Sequence, residues 1–459
     1  MSTSDQIYAR LPVWLQHAGV SAFGAYWHWL RFGPGYRQLA EGYRRAEQLS
    51  AADLRRVTDA RLRQLLAACA EHVPYYREAW TGPEKQAARA GSLADLPILE
   101  KDTVRANPRA LIRTDLHERR PLVFHTSGST GTPIATIWSR RDLRDSLALR
   151  EIRSANWAGV SFSDPRATFS GRMVVPNPHS QGPFHRFNLV ERQVYFSAFH
   201  LSPKTAPAYL DALRKHKVVW GTGYAVSWGT LARLMLELRL PPPPQLRVIV
   251  TTSEKVTPEM RAMMEEAFQC RVFEEYSSVE NAVFASECYA GSLHVSLDSG
   301  LVEILDDRGN PCPTETIGQV VATCISRTYQ PFIRFRLGDL AVWSDKSCAC
   351  GSPFPVLREV IGRLEDVVVG ADGREMVRFH GIFVDLPSVR EGQVVQLEVD
   401  HIQLRVVVAD GFGGDDEVEM SRRVRERLGA VRVSVERLEA IPRDKSGKFR
   451  AVVSLIKST

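Results

Sequence analysis

Apolar positions recur at helical spacing over residues 54–69, where Leu54, Val57, Leu62, Leu65, Leu66 and Cys69 share a face between Ser50 and Pro74. A serine satisfies free N–H groups at a helix start and a proline cannot continue a helix, so this stretch is predicted to be helical. From about residue 120 the texture changes to short apolar runs, Pro121 to Phe124, Arg247 to Val250 and Gln319 to Thr323, separated by Gly, Pro and Ser. Such runs predict buried strands. Amphipathic stretches over 203–215 and 258–269 lie between them, the second with Thr257 as its cap and Pro258 at its first helical position. Strands alternating with helices predict an α/β large domain.

Past Ile361 the pattern becomes strand, strand, helix, strand. Val394 to Val399 and Ile402 to Val408 predict paired strands, Glu417 to Leu428 a helix, and Val431 to Leu438 a further strand. Two domains are expected, 1–360 and 361–459, because 459 residues exceed what one hydrophobic core organises. The first opens with a helical, aromatic-rich lead over 1–80, and Pro241 to Pro244 form a stiff connection inside it after a helix near 229–239.

Composition narrows the class. With 44% hydrophobic and 24% charged residues the chain reads as an ordinary globular enzyme. A net charge of +6 without a long basic run argues against nucleic acid as a partner. Seven unevenly spaced cysteines do not make a secreted disulfide framework, so reduced thiols and the cytoplasm are expected. The start Met1-Ser2-Thr3-Ser4-Asp5 lacks the features of a signal peptide, and no apolar run is long enough to span a membrane. Residues 11–32 gather Trp14, Phe23, Tyr26, Trp27, Trp29 and Phe32. They read either as a segment resting on lipid or as aromatics packed on the main domain, and packing is the expectation.

The first candidate for chemistry is Thr126-Ser127-Gly128-Ser129-Thr130-Gly131-Thr132, directly after the run Leu122 to Phe124. Glycines let backbone N–H groups approach phosphate oxygens, and hydroxyls add donors. The spacing of a kinase-type phosphate loop is absent. Taken alone, this loop is equally a phosphate cradle or a common Ser/Gly turn.

Four further segments follow it in order. They are Tyr276-Ser277-Ser278-Val279-Glu280, Phe335-Arg336-Leu337-Gly338-Asp339, Gly362-Arg363-Leu364-Glu365-Asp366 and Pro442-Arg443-Asp444-Lys445-Ser446-Gly447-Lys448. In this order they resemble the acyl-adenylate-forming superfamily, and within it the phenylacetate-CoA ligase branch with its capsular-polysaccharide-associated proteins. Val73 to Arg77, Gly182 to Asn188, Tyr195 to Ser202 and Thr252 to Glu254 extend the resemblance over nearly the whole chain.

The resemblance implies a large α/β adenylate-forming domain and a small mobile α+β C-terminal domain that turns about a hinge at Glu365 and Asp366. It implies that Ser127 to Thr132 hold the β- and γ-phosphates of ATP and that Glu280 holds Mg²⁺. Ser253, Glu254, Glu275, Tyr276, Ser277 and Ser278 would surround the nucleotide, with Tyr276 near adenine. Asp339 would accept from the ribose diol, and Arg336 and Arg363 would lie near ribose and phosphate. Lys448 would be the catalytic lysine, with Lys445 a decoy beside it. The acyl pocket is expected between about 170 and 254, lined by Arg172, Arg186, Phe187, Tyr224 and Ser253. The partners implied are a carboxylic acid, ATP and coenzyme A. Delivery to an amine or hydroxyl, or nucleotide binding without catalysis, are the competing readings. Ser277 and Val279 depart from the usual Gly and Thr or Ser, and Thr132 stands where many relatives carry Lys.

Cys288 and His294 precede Cys348 and Cys350 by about sixty residues. Three thiols and an imidazole suit a closed, structural zinc site, and unmetallated buried thiols are the alternative. Some members of the resembled branch carry this arrangement with a Cys-x-Cys-Gly turn, here Cys348-Ala349-Cys350-Gly351.

Overall fold

A computed structural model describes residues 8, 10–125, 134–170, 172, 174–175, 180–198, 200–363, 368–369, 375–376, 382–383, 386, 388–442 and 449–456. The chain divides into two compact units, one of Met1–Leu337 with Val342–Glu359 and one of Gly338–Ala341 with Val360–Thr459.

The first unit opens with helices α1 (Val13–Phe32), α2 (Tyr36–Ala46), α3 (Ala51–His72), α4 (Pro74–Ala79), α5 (Gly82–Ala90) and α6 (Lys101–Ala106). The predicted cap of α3 is present, since the Ser50 side chain accepts from the Asp53 N–H. A hairpin, β1 (Leu122–His125) and β2 (Ala135–Trp138), precedes α7 (Arg140–Arg150), which runs into one π turn at Glu151–Ala155. Then come β3 (Arg166–Ser170), β4 (His185–Asn188), β5 (Gln193–Ser197), α8 (Ala206–Lys215), β6 (Trp220–Tyr224), α9 (Ala225–Glu237), β7 (Val248–Thr252), α10 (Pro258–Phe268) and β8 (Arg271–Ser277). Thr257 caps α10 through the Met260 N–H and Pro258 opens it, as the sequence predicts. Short strands β9 (Phe284–Glu287), β10 (Leu293–Val295), β11 (Gly300–Leu305), β12 (Ile317–Cys324), β13 (Phe335–Trp343) and β14 (Val356–Arg363) complete the series.

These strands form one sheet in the order β11-β12-β13-β14-β10-β9-β8-β7-β6-β3-β5-β4. Its parallel part is β8, β7, β6, β3 and β5, with β4 antiparallel at the edge. The alternation of β-branched strands with amphipathic helices dictates this, because a parallel sheet must be covered on its faces. On one face Trp228 is fully buried and meets Phe169 and Phe268 edge-on at 5.0 and 5.6 Å. Each such side chain contributes about 1.5–3 kcal/mol by leaving water. Gly221 lies under the Trp228 ring, and at Gly223 (φ 106°) a Cβ would stand 1.8 Å from the Phe169 carbonyl oxygen.

The second unit has a sheet in the order β17-β16-β15-β18, from β15 (Val389–Glu398), β16 (His401–Val408), β17 (Arg432–Arg437) and β18 (Val452–Ser454), and the helix α11 (Gly414–Leu428). Val394, Ile402, Leu404 and Val406 of the sheet are buried with Met420, Val424 and Leu428 of α11. This is the α+β tail that the sequence predicts.

One expectation is corrected at α1. Leu30 is buried and Trp27 packs 6.0 Å from Phe124, yet Trp14, Phe23, Tyr26 and Trp29 are 68%, 55%, 52% and 50% exposed. A helix apolar on all sides cannot bury every side against one body. No helix among the described residues is long and apolar enough to cross a membrane.

Gly223→Ala is expected to lower stability by about 3 kcal/mol or more, from the left-handed backbone and the clash with Phe169. Thermal unfolding of the purified variant measures it; an unchanged midpoint would refute the close approach of β3 and β6.

Candidate active site

The chain passes from β3 to β5 on one side of β3 and then crosses to β6 on the other, so the strand order reverses between β3 and β6. In open α/β sheets a crevice forms outside the carboxyl ends of strands at such a point. Tyr224 ends β6 and pairs in register with Thr252 of β7, which pairs with Glu275 of β8. Tyr224, Ser253 with Glu254, and Glu275 to Ser278 therefore follow one another along the carboxyl edge of three adjacent strands, and Arg172 follows the neighbouring end of β3.

Hydrogen bonds fix this edge. The Glu254 carboxylate accepts from the Val226 N–H at 2.9 Å, at the start of α9, where an anion is favoured by the helix dipole. Ser253 has φ 72°, an uncommon conformation for a residue with a Cβ, costing about 1 kcal/mol or more. Glu275 accepts from Arg150 Nε at 2.9 Å and from the Ser277 hydroxyl at 3.1 Å.

Beyond β8 the turn Ser278–Asn281 carries Glu280, which is buried. Asn281 (φ 53°) closes the turn, its N–H donating to the Ser278 carbonyl at 2.9 Å and its Oδ1 accepting from Ser146 at 3.0 Å. Arg327 lies beneath, fully buried, and donates to the Glu280 carbonyl, to Ile137 O at 3.0 Å and to Gln330 Oε1 at 2.7 Å. Its guanidinium lies 4.5 and 4.8 Å from the ring centroids of Trp138 and Phe332. Burial lowers its pKa to about 10, opposed by Asp142, so it stays charged at neutral pH. Arg150, Asn281 and Arg327 were not foreseen, as no motif or spacing singles them out.

Other predicted residues fall elsewhere. Thr126, Ser127, Gly128, Ser129, Thr130, Gly131 and Thr132 lie outside the described residues, as do Glu365, Asp366, Lys445 and Lys448. Arg363 ends β14, and its side chain is also outside them. Asp339 is buried on β13 and belongs to the second unit. Arg336 pairs with Glu100 at 2.9 Å and contacts Gln319. Arg172 is exposed, its guanidinium 5.4 Å from the centroid of Tyr195.

Arg186 and Phe187 have partners within the fold. The buried Arg186 guanidinium donates to Gln16 Oε1 at 2.7 Å and to the carbonyls of Pro183 and His185, which ties α1 to β4. Phe187 stacks on His216 at 4.1 Å. The donors of Arg186 are thus engaged within the fold and not offered to a pocket.

The four zinc candidates come together. One donor atom from each of Cys288, His294, Cys348 and Cys350 lies within 4.8 Å of all the others. The Cys288 and Cys348 sulfurs are 3.6 Å apart, too far for a disulfide, and Cys350 Sγ is 3.3 Å from His294 Nε2. Tetrahedral zinc with Zn–S of about 2.3 Å needs sulfurs about 3.8 Å apart. Nδ1 of the buried His294 is 2.8 Å from the Phe354 carbonyl. A carbonyl only accepts, so Nδ1 carries the proton and the Nε2 lone pair faces the thiols. Burial opposes ionisation of Cys348, but hydrogen bonds from Ser292 and the Cys350 N–H bring its pKa down to about 6. Burial and the adjacent thiols push Cys350 up to about 12.

Known proteins bear on this arrangement. Residues 371–455 match the family described as the CapK C-terminal domain. The chain is 24% identical to protein CapK of Staphylococcus aureus, over 80% of this chain and 81% of that protein. It is 23% identical to a phenylacetate-coenzyme A ligase of Thermus thermophilus, over 90% and 98% respectively. A crystal structure of 2-hydroxyisobutyryl-CoA ligase, in the postadenylation state with an acyl-AMP, superposes with a TM-score of 0.71 at 22% identity, covering 89% of this chain and 91% of that one. The resemblance read from the motifs holds, and the chain has the fold of adenylate-forming ligases.

Arg327→Met is expected to cost about 3–5 kcal/mol, since it leaves the carbonyls of Glu280 and Ile137 buried without this donor and Asp142 buried without the charge that opposes it. Arg327→Lys recovers less than half, lacking the planar fork. Urea unfolding of both variants provides the measurement.

Proposed function

We propose that this ligase activates a carboxylic acid with ATP as acyl-AMP and passes the acyl group to a thiol, that of coenzyme A. In the first step a carboxylate oxygen attacks the α-phosphorus and the bond to the β-phosphate breaks, releasing pyrophosphate. In the second the thiol sulfur attacks the acyl carbon, AMP leaves with its bonding pair, and the thiol proton passes to solvent. AMP is needed because a free carboxylate is anionic and has no good leaving group. The observation that carries this reading is the row of Tyr224, Ser253, Glu254 and Glu275 to Ser278 along the carboxyl ends of β6, β7 and β8, beside the switch between β3 and β6.

Within this reading Ser127 to Thr132 hold the β- and γ-phosphates, Tyr276 lies against adenine, and Asp339 accepts from the ribose diol. Arg336 and Arg363 lie toward ribose and phosphate, and Lys448 offsets the charge that builds between carboxylate and α-phosphate. Glu280 would hold Mg²⁺, whose charge neutralises polyphosphate. A buried carboxylate on a turn pinned by Arg327 and Asn281 is a hard oxygen donor of the kind that ion takes. Arg172, Tyr224 and Ser253 would border the acyl group. Cys288, His294, Cys348 and Cys350 would hold a structural zinc, supported by their spacing and by the fixed tautomer of His294. Reduced thiols, ATP and coenzyme A are all available in the cytoplasm, where this reading puts the chain.

Acid-dependent pyrophosphate exchange, tried with a panel of aryl and fatty acids, tests the first step. Lys448→Ala should lower the signal by about 100-fold or more, and full activity in that variant would dismiss the role of Lys448. Thioester should form only when coenzyme A is added; product appearing only with an amine or alcohol would reassign the acceptor and leave adenylation standing.

Metal analysis of the purified protein should find about one zinc per chain. His294→Ala should lose it and lower the unfolding temperature. Less than about one-tenth of a zinc per chain would remove the assignment.

A further inference from the structure

Among the described residues, the outer face of α1 is left largely exposed. Trp14, Ala18, Ala22, Ala25 and Trp29 follow one another at spacings of three and four along one side and are exposed, with Tyr26 beside them. The opposite side is fixed to the body. Gly24 faces Asn188 so closely that a Cβ would collide with it, Gln16 is buried, and the Ser21 hydroxyl accepts from the Leu189 N–H at 3.1 Å. The β4–β5 turn held by that bond carries Leu189 and Val190, 69% and 45% exposed. The helix stripe and this turn are two exposed apolar features carried by neighbouring elements.

Charge identifies what fits there. No acidic residue occurs anywhere from Gln6 to Ala40, whereas Arg10, Arg31 and Arg37 do. At the Trp29 end the Arg140 guanidinium lies 5.3 Å from the Trp29 ring centroid. Glu118, which pairs with Arg140, is followed by the exposed Arg119 and Arg120. The acids next to the surface are neutralised, since Glu118 pairs with Arg140 and the buried Glu191 pairs with Arg31 and Arg166. A second copy of the chain, pairing this surface with itself, would set one basic surface against another. An anionic lipid surface would not. Tryptophan and tyrosine between basic ends are the composition of a helix lying in the headgroup layer.

We propose that α1, with the Leu189–Val190 turn, docks the protein on the surface of a membrane containing anionic lipid. The helix lies in the plane of the interface with Trp14, Tyr26 and Trp29 in the acyl boundary and Arg119 and Arg120 among the headgroups.

Full-length protein should sediment with vesicles of equal parts phosphatidylglycerol and phosphatidylcholine, less with phosphatidylcholine alone, and less as salt is raised. Changing Trp14, Tyr26 and Trp29 together to Ser should weaken binding about tenfold or more while the unfolding temperature is kept. If that variant does not fold, Arg119→Glu with Arg120→Glu serves instead, and should reduce binding to the anionic vesicles alone. Failure of the unaltered protein to sediment with anionic vesicles would overturn the proposal. So would unchanged binding in a folded variant. A concentration-dependent dimer that the Ser variant dissolves, without vesicle binding, would assign the face to a second copy instead.

Discussion

A guanidinium with no exposure to water is costly to bury, and several segments of the first unit are arranged around one. Arg327 reaches the β2 backbone at Ile137, the Glu280 carbonyl and Gln330, whose amide in turn donates to the Pro108 carbonyl. Asp142 of α7, itself buried, accepts from the Thr328 and Tyr329 N–H groups and so holds the segment that carries Arg327. The bonds of its Nη1 and Nη2 couple the hairpin, α7 and the acidic turn into one unit, while its Nε has no partner among the described residues. The position of Glu280 follows from this charge as much as from β8.

The same economy governs the carboxyl edge of the sheet. Gly223 has no side chain because the Phe169 carbonyl occupies that space, and this lets β3 and β6 pair where the strand order reverses. Glu254 then closes the start of α9, and Ser253 accepts an unfavourable φ to bring it there. Farther along the sheet the thiols and imidazole sit on the β9–β10 turn and the segment before β14, with His294 edge-on to Trp157 at 5.8 Å. Beneath lies a second buried arginine, Arg153, paired with Asp298 and Glu47.

Much of this was legible before any coordinates. The caps at Ser50 and Thr257, the apolar runs and the α+β tail follow from local rules, because a cap or an alternation is written in neighbouring residues. The thiols and His294 could be grouped because few side chains bind zinc. Arg327 could not be singled out among 59 Lys and Arg residues, since what distinguishes it is burial by segments nearly two hundred residues away. Arg186 misled for the same reason. A basic residue near a presumed pocket looks like a ligand, whereas its acceptors come from α1 and its own strand. Periodicity was silent on α1 because a helix apolar all round does not declare which side faces the body.

The joint between α1 and β4 has one more result. β4 ends the sheet, and the backbone groups such an edge leaves open are taken by helix side chains: the Phe187 N–H donates to His17 at 2.9 Å, and the Phe187 carbonyl and Leu189 N–H both bond Ser21. An open edge recruits strands from other molecules. Here the sheet is terminated by an imidazole and a hydroxyl, so the helix that shows its aromatics outward also guards the enzyme against growing strand by strand into an aggregate.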